Sequence, residues 1–411
     1  MLFFKFALFL FLFHSVAWSC DTQKHHVFLL HGIGGNKGTF GSLENLLNRQ
    51  HPCIKARTFE YKTGSLQNTY DFARDFHQYV ISLQTTEIRN SDKVSLIMHS
   101  QGGLVGSLWL KLLTENNLLL LKQLDSFITL STPFWGADIA HIGKQFFYTL
   151  PPGMINPISP FGRNELNEMS YGSSTIQDFA RNLDNVFKSA PQLRPLIIGG
   201  MKRFYDTRIG EDDIVVPTHS MSPHRYYLKD YLSFFDKPAR VLANAFKKNS
   251  KKPFLLVPAD HIKLTQHGIA DIPSRCLKDI KCDHPSLQYI LDHLKGIEVK
   301  PKKEYSLTRF RVTVFINNPF GITYDQKDLT IQVHGLDRYT KVPLIERITP
   351  FQGNAKVEKG LVFSFGGNTK LEGASKLFVT LRYKNKNIKT YEVPVEAGLS
   401  SFVDTDLATI N

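Results

Sequence analysis

The chain is poor in cysteine: four in 411 residues, at positions 20, 53, 276 and 282, and no two in the CxxC spacing of a zinc site. It is short of acid as well, with 37 Asp and Glu against 50 Lys and Arg, a net charge of +13. Internal repeats and low-complexity tracts are missing. So are long apolar runs, apart from residues 6–13, a stretch shorter than the roughly 20 residues that cross a bilayer. No nucleic-acid-binding motif accompanies the positive charge, and export, argued next, excludes nucleic acid as a partner. What remains is 42% hydrophobic, 12% aromatic and 21% charged, which excludes a disordered or fibrous chain. At this length two domains are the natural expectation.

Residues 1–19 read as a signal peptide. Lys5 supplies the positive charge, the apolar run follows, and Ala17-Trp18-Ser19 offers small residues at a signal-peptidase site. The mature protein is then expected to be secreted or held in the cell envelope or periplasm, where disulfides form. Cys20, directly after the cut, leaves lipid attachment as an alternative that Trp18 fits poorly. Cys276 and Cys282 flank five residues and are expected to bridge locally. Cys20 with Cys53 would tie the mature N-terminus to the body, although connectivity cannot be read from sequence. Lysines cluster at 247–252, 300–303 and 384–389. They are either solvated turns or a means of leaning on an anionic membrane surface.

From residue 25 to about 295, short apolar strands alternate with helical stretches, the pattern of a parallel sheet wrapped by helices. Strands are expected at 25–32, 53–61, 93–100, 126–132, 195–200 and 254–258. Leu66, Tyr70, Ala73, Phe76, Val80 and Leu83 step at three and four residues, as one face of a helix does. A second helix carries Val105, Leu108, Trp109 and Leu112, and a last one starts at Pro285. Between about 134 and 193 the alternation breaks into an aromatic, proline-rich excursion with Phe134, Trp135, Phe146, Phe147, Tyr148 and a run from Pro151. This reads as a cap or lid, or else as a structural excursion on the surface. Beyond 298 the period changes to two, in Phe310-Val312-Val314-Ile316, Leu329-Ile331-Val333, Leu361-Phe363-Phe365 and Leu377-Val379-Leu381. Residues 299–411 are therefore expected to form an all-β sandwich.

Four stretches carry chemistry. His99-Ser100-Gln101-Gly102-Gly103 stands where a strand meets a helix, the sharp turn that exposes a serine hydroxyl to a base and to oxyanion donors. Gly102, Gly103 and Gly106 keep the helix side small, but Met98 stands where G-x-S-x-G wants glycine. Next, HGIGG (31–35) ends the first strand and could turn backbone N–H groups toward a substrate oxygen. It is no dinucleotide fingerprint, since Lys37 falls on the third glycine, and it lacks the Gly-Lys-Ser/Thr order of a phosphate loop, so no cofactor is expected. Third, EDDIVVPTHS (211–220) offers an acid that could orient a histidine. Its ligand spacing does not suit calcium, and no metal is expected. Last, His261 follows the final parallel strand, with His267 and His284 as competitors.

Taken together, FLLHGIGG, MHSQGGL, TLSTPFWGA, DDIVVPTHS and ADHIKL, in this order, resemble the α/β-hydrolase lipases and esterases. Compact bacterial triacylglycerol lipases and relatives that deacylate glycosylphosphatidylinositol are the most similar. The resemblance implies a doubly wound α/β-hydrolase domain over 20–298. It makes Ser100 the nucleophile, Asp213 in D-x-V-V-P the acid and His261 the base. Backbone N–H groups of Ile33 and Gln101 would form the oxyanion hole. It implies hydrolysis of carboxylic esters, lipid esters above all, through an acyl-enzyme. Acyl transfer to an alcohol is the enzymatic alternative, and a binding or adhesion protein on a hydrolase scaffold the non-enzymatic one.

Overall fold

The computed structural model describes residues 23–50, 52–64, 66–116, 118–137, 140, 162–201, 212, 213, 215–230, 241–243, 254–263, 267–277, 282–302, 305, 307–317, 328–335, 346–348, 360–368 and 375–406. The expected signal peptide, Cys20, Phe146, Phe147, Tyr148, the run from Pro151 and the lysines at 247–252 lie outside these residues.

Strands β1 (His25–Leu30), β2 (Ile54–Phe59), β3 (Lys93–His99), β4 (Leu124–Leu130), β5 (Arg194–Gly200) and β8 (Phe254–Val257) form one sheet in the order β2-β1-β3-β4-β5-β8. Every pair is parallel. Such strands are buried on both faces and read as near-continuous apolar runs. Alternate residues serve two layers. Phe28, Leu30, Leu96 and Met98 point to one, and Val27, Leu29 and Ile97 to the other.

The first layer is covered by α2 (Thr69–Gln84) and α3 (Gln101–Asn116). Asn68 starts α2 with a capping box: its side chain accepts from Asp71 N–H while Asp71 accepts from Asn68 N–H. Phe72, Phe76, Val80 and Leu83 then present one stripe to the sheet. The second layer is α1 (Leu43–Gln50) with Leu43, Leu46 and Leu47, and a closing helix, α7 (Leu287–Leu294), with Leu287, Ile290 and Leu294. The short α4 (Leu118–Gln123) leads into β4.

Half of the expected excursion at 134–193 is ordinary framework. α5 (Arg163–Glu168) is short, and α6 (Ser174–Lys188), capped by the Ser173 hydroxyl on Ile176 N–H, is the crossover helix before β5. Its Ile176, Phe179, Ala180, Leu183 and Phe187 join the main core. Trp135, five residues past β4, is fully buried and packs on the C-terminal region.

That region contains two sheets around their own core of Phe310, Val312, Val314, Leu377, Val379 and Val393. The smaller is β10 (Leu329–Gly335), β13 (Ser375–Tyr383) and β14 (Lys386–Val395). The larger runs β11-β12-β9-β15-β6-β7. It combines β9 (Arg309–Asn317), β11 (Glu346–Ile348), β12 (Gly360–Asn368) and β15 (Ser400–Asp406) with β6 (Arg225–Asp230) and β7 (Val241–Ala243). The last two come from between β5 and β8, so strand pairing crosses the division expected at 298/299. β15 lies parallel to both β9 and β6. An unpaired β15 edge would be costly, and the excursion after the 218–221 turn satisfies it.

Candidate active site

The order β2-β1-β3 means that the chain leaves β1 for one side and returns on the other. The crevice at the carboxyl ends of β1 and β3 is thus a switch point, where open α/β sheets bind ligands. HGIGG ends β1 there, and the turn from β3 into α3 places Ser100 beside it. A Cβ built on Gly32 would stand 2.6 Å from Ser100 Cβ and 3.1 Å from its Oγ, so only glycine lets the two turns approach this closely.

Ser100 is held at φ 54°, a left-handed conformation unusual for a residue with a side chain. Its N–H donates to Leu130 O at 2.9 Å and its carbonyl accepts from Gly103 N–H at 3.0 Å, so the turn is pinned on both sides. Met98, the departure from the glycine pattern, is accommodated from the helix. A Cβ on Gly106 would meet the Met98 Sδ at 2.1 Å, so the thioether fills the space that glycine leaves.

His261 Nδ1–H donates to Asp213 Oδ2 at 2.7 Å, and His261 N–H to the Asp213 carbonyl at 2.9 Å. Asp213 is fully buried, and its Oδ1 accepts from Val215 N–H and Val216 N–H at 3.1 and 2.8 Å. The D-x-V-V-P stretch thus folds back on its own carboxylate. With Nδ1 committed to the acid, the Nε2 lone pair is left to act as a base. The competitors do other work. His284 bonds the Gly268 carbonyl and Ser286, and His267 meets it edge-on, with ring centroids 5.4 Å apart.

The sequence reading passed over His99, which joins the two halves of the site. Its Nε2–H donates to the His261 carbonyl at 3.0 Å, and the two rings lie 4.7 Å apart. Burial, with the neighbouring His261 adding to it, holds His99 well below the usual imidazole range, as a neutral donor. Asp213 and His261 are therefore bonded directly, and both are tied to the Ser100 turn through its preceding residue. Only the position just before the serine hinted at this.

Ile33 lies inside the turn closed by Gly35 N–H on the Gly32 carbonyl, and Gln101 is the first residue of α3. A helix start leaves N–H groups without intrahelical partners. Tyr61 stacks on His31 at 4.2 Å, and its hydroxyl donates to the His31 carbonyl, which stiffens the β1 end. Among the described residues no cluster of His, Cys, Asp and Glu could hold a metal ion, and no helix is long and apolar enough to cross a membrane. Cys276 and Cys282 form the expected bridge. Cys53 is also disulfide-bonded, while the expected pairing with Cys20 lies outside the described residues.

A parallel sheet with this switch point, a strained serine at a strand-to-helix turn, and acid and histidine after the following strands define an α/β-hydrolase fold. Residues 21–147 match the protein family described as "Putative serine esterase (DUF676)". In fold, the chain is similar to phospholipase PlaB from Legionella pneumophila, with a TM-score of 0.65 at 16% identity over 93% of both chains. It is also similar to the same protein in complex with thio-NAD, with a TM-score of 0.63, 15% identity and the same coverage. The likeness includes the C-terminal sheets as well as the hydrolase sheet. No curated protein matches the sequence.

Proposed function

We propose that this chain is a secreted serine hydrolase that cleaves carboxylic esters, lipid esters above all. The observation that carries the reading is the buried 2.7 Å His261–Asp213 hydrogen bond at the carboxyl end of the sheet whose left-handed Ser100 turn adjoins it. Ser100 is the nucleophile. His261 takes its proton as the hydroxyl attacks the ester carbonyl, and Asp213 stabilises the imidazolium and fixes the tautomer. The Ile33 and Gln101 amides receive the negative charge on the carbonyl oxygen. The alkoxide leaves with the proton from His261, and water then releases the acid from the acyl-enzyme. The serine-esterase family match over 21–147 supports ester chemistry, and a lipid substrate is in keeping with the phospholipase whose fold this chain resembles.

Export as a soluble protein or as a Cys20-linked lipoprotein belongs to this reading, as does peripheral contact with an anionic membrane. The β13–β14 hairpin supports the latter. Its tip exposes Lys384 and Lys386, with Lys389 half-exposed behind them.

A fluorophosphonate probe tests the proposal. Wild-type protein should be labelled and should hydrolyse p-nitrophenyl esters, with chain-length preference separating esterase from lipase. Ser100→Ala should do neither. Equal labelling of both proteins, or of neither, would exclude Ser100 as the nucleophile. Product analysis with added alcohols separates hydrolysis from acyl transfer.

A further inference from the structure

Glu165 is a fully buried carboxyl on α5, with no counter-charge among the groups that act on it most strongly. Its Oε1 accepts from Gly64 N–H at 3.0 Å. Thr63, the next residue back, accepts at Oγ1 from Gly34 N–H at 3.0 Å, which ties the same loop to the HGIGG turn immediately after Ile33. On its other side Glu165 faces the side chain of Gln101. That carboxamide is also fully buried, and neither its Nε2, its Oε1 nor Glu165 Oε2 has a well-aligned hydrogen-bond partner. One carboxyl therefore touches the Gln101 turn directly and the Ile33 turn through two hydrogen bonds. Buried polar atoms carry a desolvation cost, so this placement is expensive unless it has a use.

We propose that Glu165 is a positioning residue for the oxyanion hole, holding the turns that carry the Ile33 and Gln101 amides in register. The inference rests on the serine-hydrolase reading and adds to it a residue from outside every motif. Glu165 does this as a neutral acid. Burial pushes its carboxyl up to about 7, against the opposing hydrogen bonds from Gly64 and Gly162. The neighbouring Glu168 raises it further, and the Gln101 side chain lowers it. Of the other groups around it, Tyr61 is buried and neutral, its hydroxyl raised well above its ordinary range, and Lys62 points to solvent. Glu168, also raised by burial, caps Thr69 N–H of α2 at 2.6 Å.

A protonated Glu165 can accept from Gly64 N–H at Oε1 and offer its proton from Oε2 to the side-chain Oε1 of Gln101. Ionised, it places a negative charge, in a poorly screened interior, against the side chain of Gln101, the residue whose amide must receive the oxyanion. Activity should then carry an alkaline limb that belongs to Glu165 and not to the triad.

The test uses the full-length protein and p-nitrophenyl butyrate from pH 5 to 9.5, with fluorophosphonate labelling of Ser100 over the same range. Wild-type kcat should fall by roughly tenfold as pH rises through about 7, with KM little changed. Glu165→Gln, a neutral isostere, should keep activity and lose that fall. Glu165→Ala should lower kcat about a hundredfold at every pH, a loss that glutamine rescues. Glu168→Gln, which removes a neighbouring carboxyl from the same helix, should keep the alkaline limb and move it only slightly to lower pH, because Glu168 helps to raise Glu165. If Glu165→Gln and wild type give superimposable profiles, or Glu168→Gln also removes the alkaline limb, Glu165 has no such role. That outcome is distinct from failure of the hydrolase reading, in which no protein labels or turns over at any pH and this proposal falls with it.

Discussion

The Ser100 side and the Asp213 side of the site are built differently. Ser100, HGIGG and His99 are held by contacts within the parallel sheet: Leu130 behind the serine, Gly103 ahead of it, and Tyr61 on His31. The Asp213 side leans on the C-terminal sheets. Arg309 of β9 reaches Asp212 at 3.8 Å, and Ser400 of β15 donates to the His219 carbonyl at 3.1 Å and meets its ring at 3.3 Å. Trp135, beside the end of β4, bonds Ser220 and Ser222, lies under Arg225 and packs on Phe402 at 5.3 Å. Arg181 of α6 holds Asp404 in a two-pronged pair at 2.6 and 2.9 Å. The Ser100 turn is thus held locally, whereas the Asp213 loop depends on strands of the C-terminal sheets.

The sharpest probe of that difference is Asp213→Asn. An amide in the same place keeps the fold but offers His261 the wrong hydrogen-bonding partner, and kcat should drop about 10⁴-fold with little change in melting. A small loss would mean that the acid side does not set the tautomer. Next comes Trp135→Ala, which should cost about 3–5 kcal/mol and lower a single melting transition for the whole protein. Two separate transitions would show that the C-terminal sheets and the hydrolase sheet do not fold as one unit.

Glu165→Gln should stabilise the protein at alkaline pH. The folded-state value of about 7 lies above the ordinary 4.5, so the native state holds a proton that the unfolded chain has released. Wild-type stability should therefore decline from about pH 4.5 to 7, by roughly 3 kcal/mol, and then level off. Glutamine removes the decline, as denaturant melts at pH 5 and 8 would show. The smallest effect is expected from Arg309→Leu. A half-exposed ion pair contributes about 1 kcal/mol at most, and kcat should fall only a few-fold while fluorophosphonate still labels Ser100. An unchanged kcat would remove Arg309 from the support of the acid loop.

The hydrolase sheet was legible because its strands are continuous apolar runs ending in glycine, serine or acid, and because the Ser100, Asp213 and His261 stretches carry local chemistry in a characteristic order. The β6 strand was not. RYYLKD has no strong alternation, and its partner Ser400-Ser401-Phe402-Val403 is some 170 residues away. Within the stretch expected at 134–193 as a cap or a structural excursion, Trp135 is buried by Phe402 and Arg225, partners that sequence spacing does not announce. Glu165 was invisible because RNELNE reads as a solvated helix. Its burial comes from the Gly64 loop and the Ser100 elbow, both brought to it by the fold.

Strand β15, ending at Asp406, lies in the interior of its sheet, parallel to β9 on one flank and to β6 on the other. A polypeptide broken off before residue 400 would not merely lose a tail. Its larger C-terminal sheet would separate into two unconnected pieces, and Arg181, Tyr227 and His219 would each lose a partner. The arrangement couples the two regions: the Asp213 loop has its full support only once residues 400–406 are in place between β9 and β6.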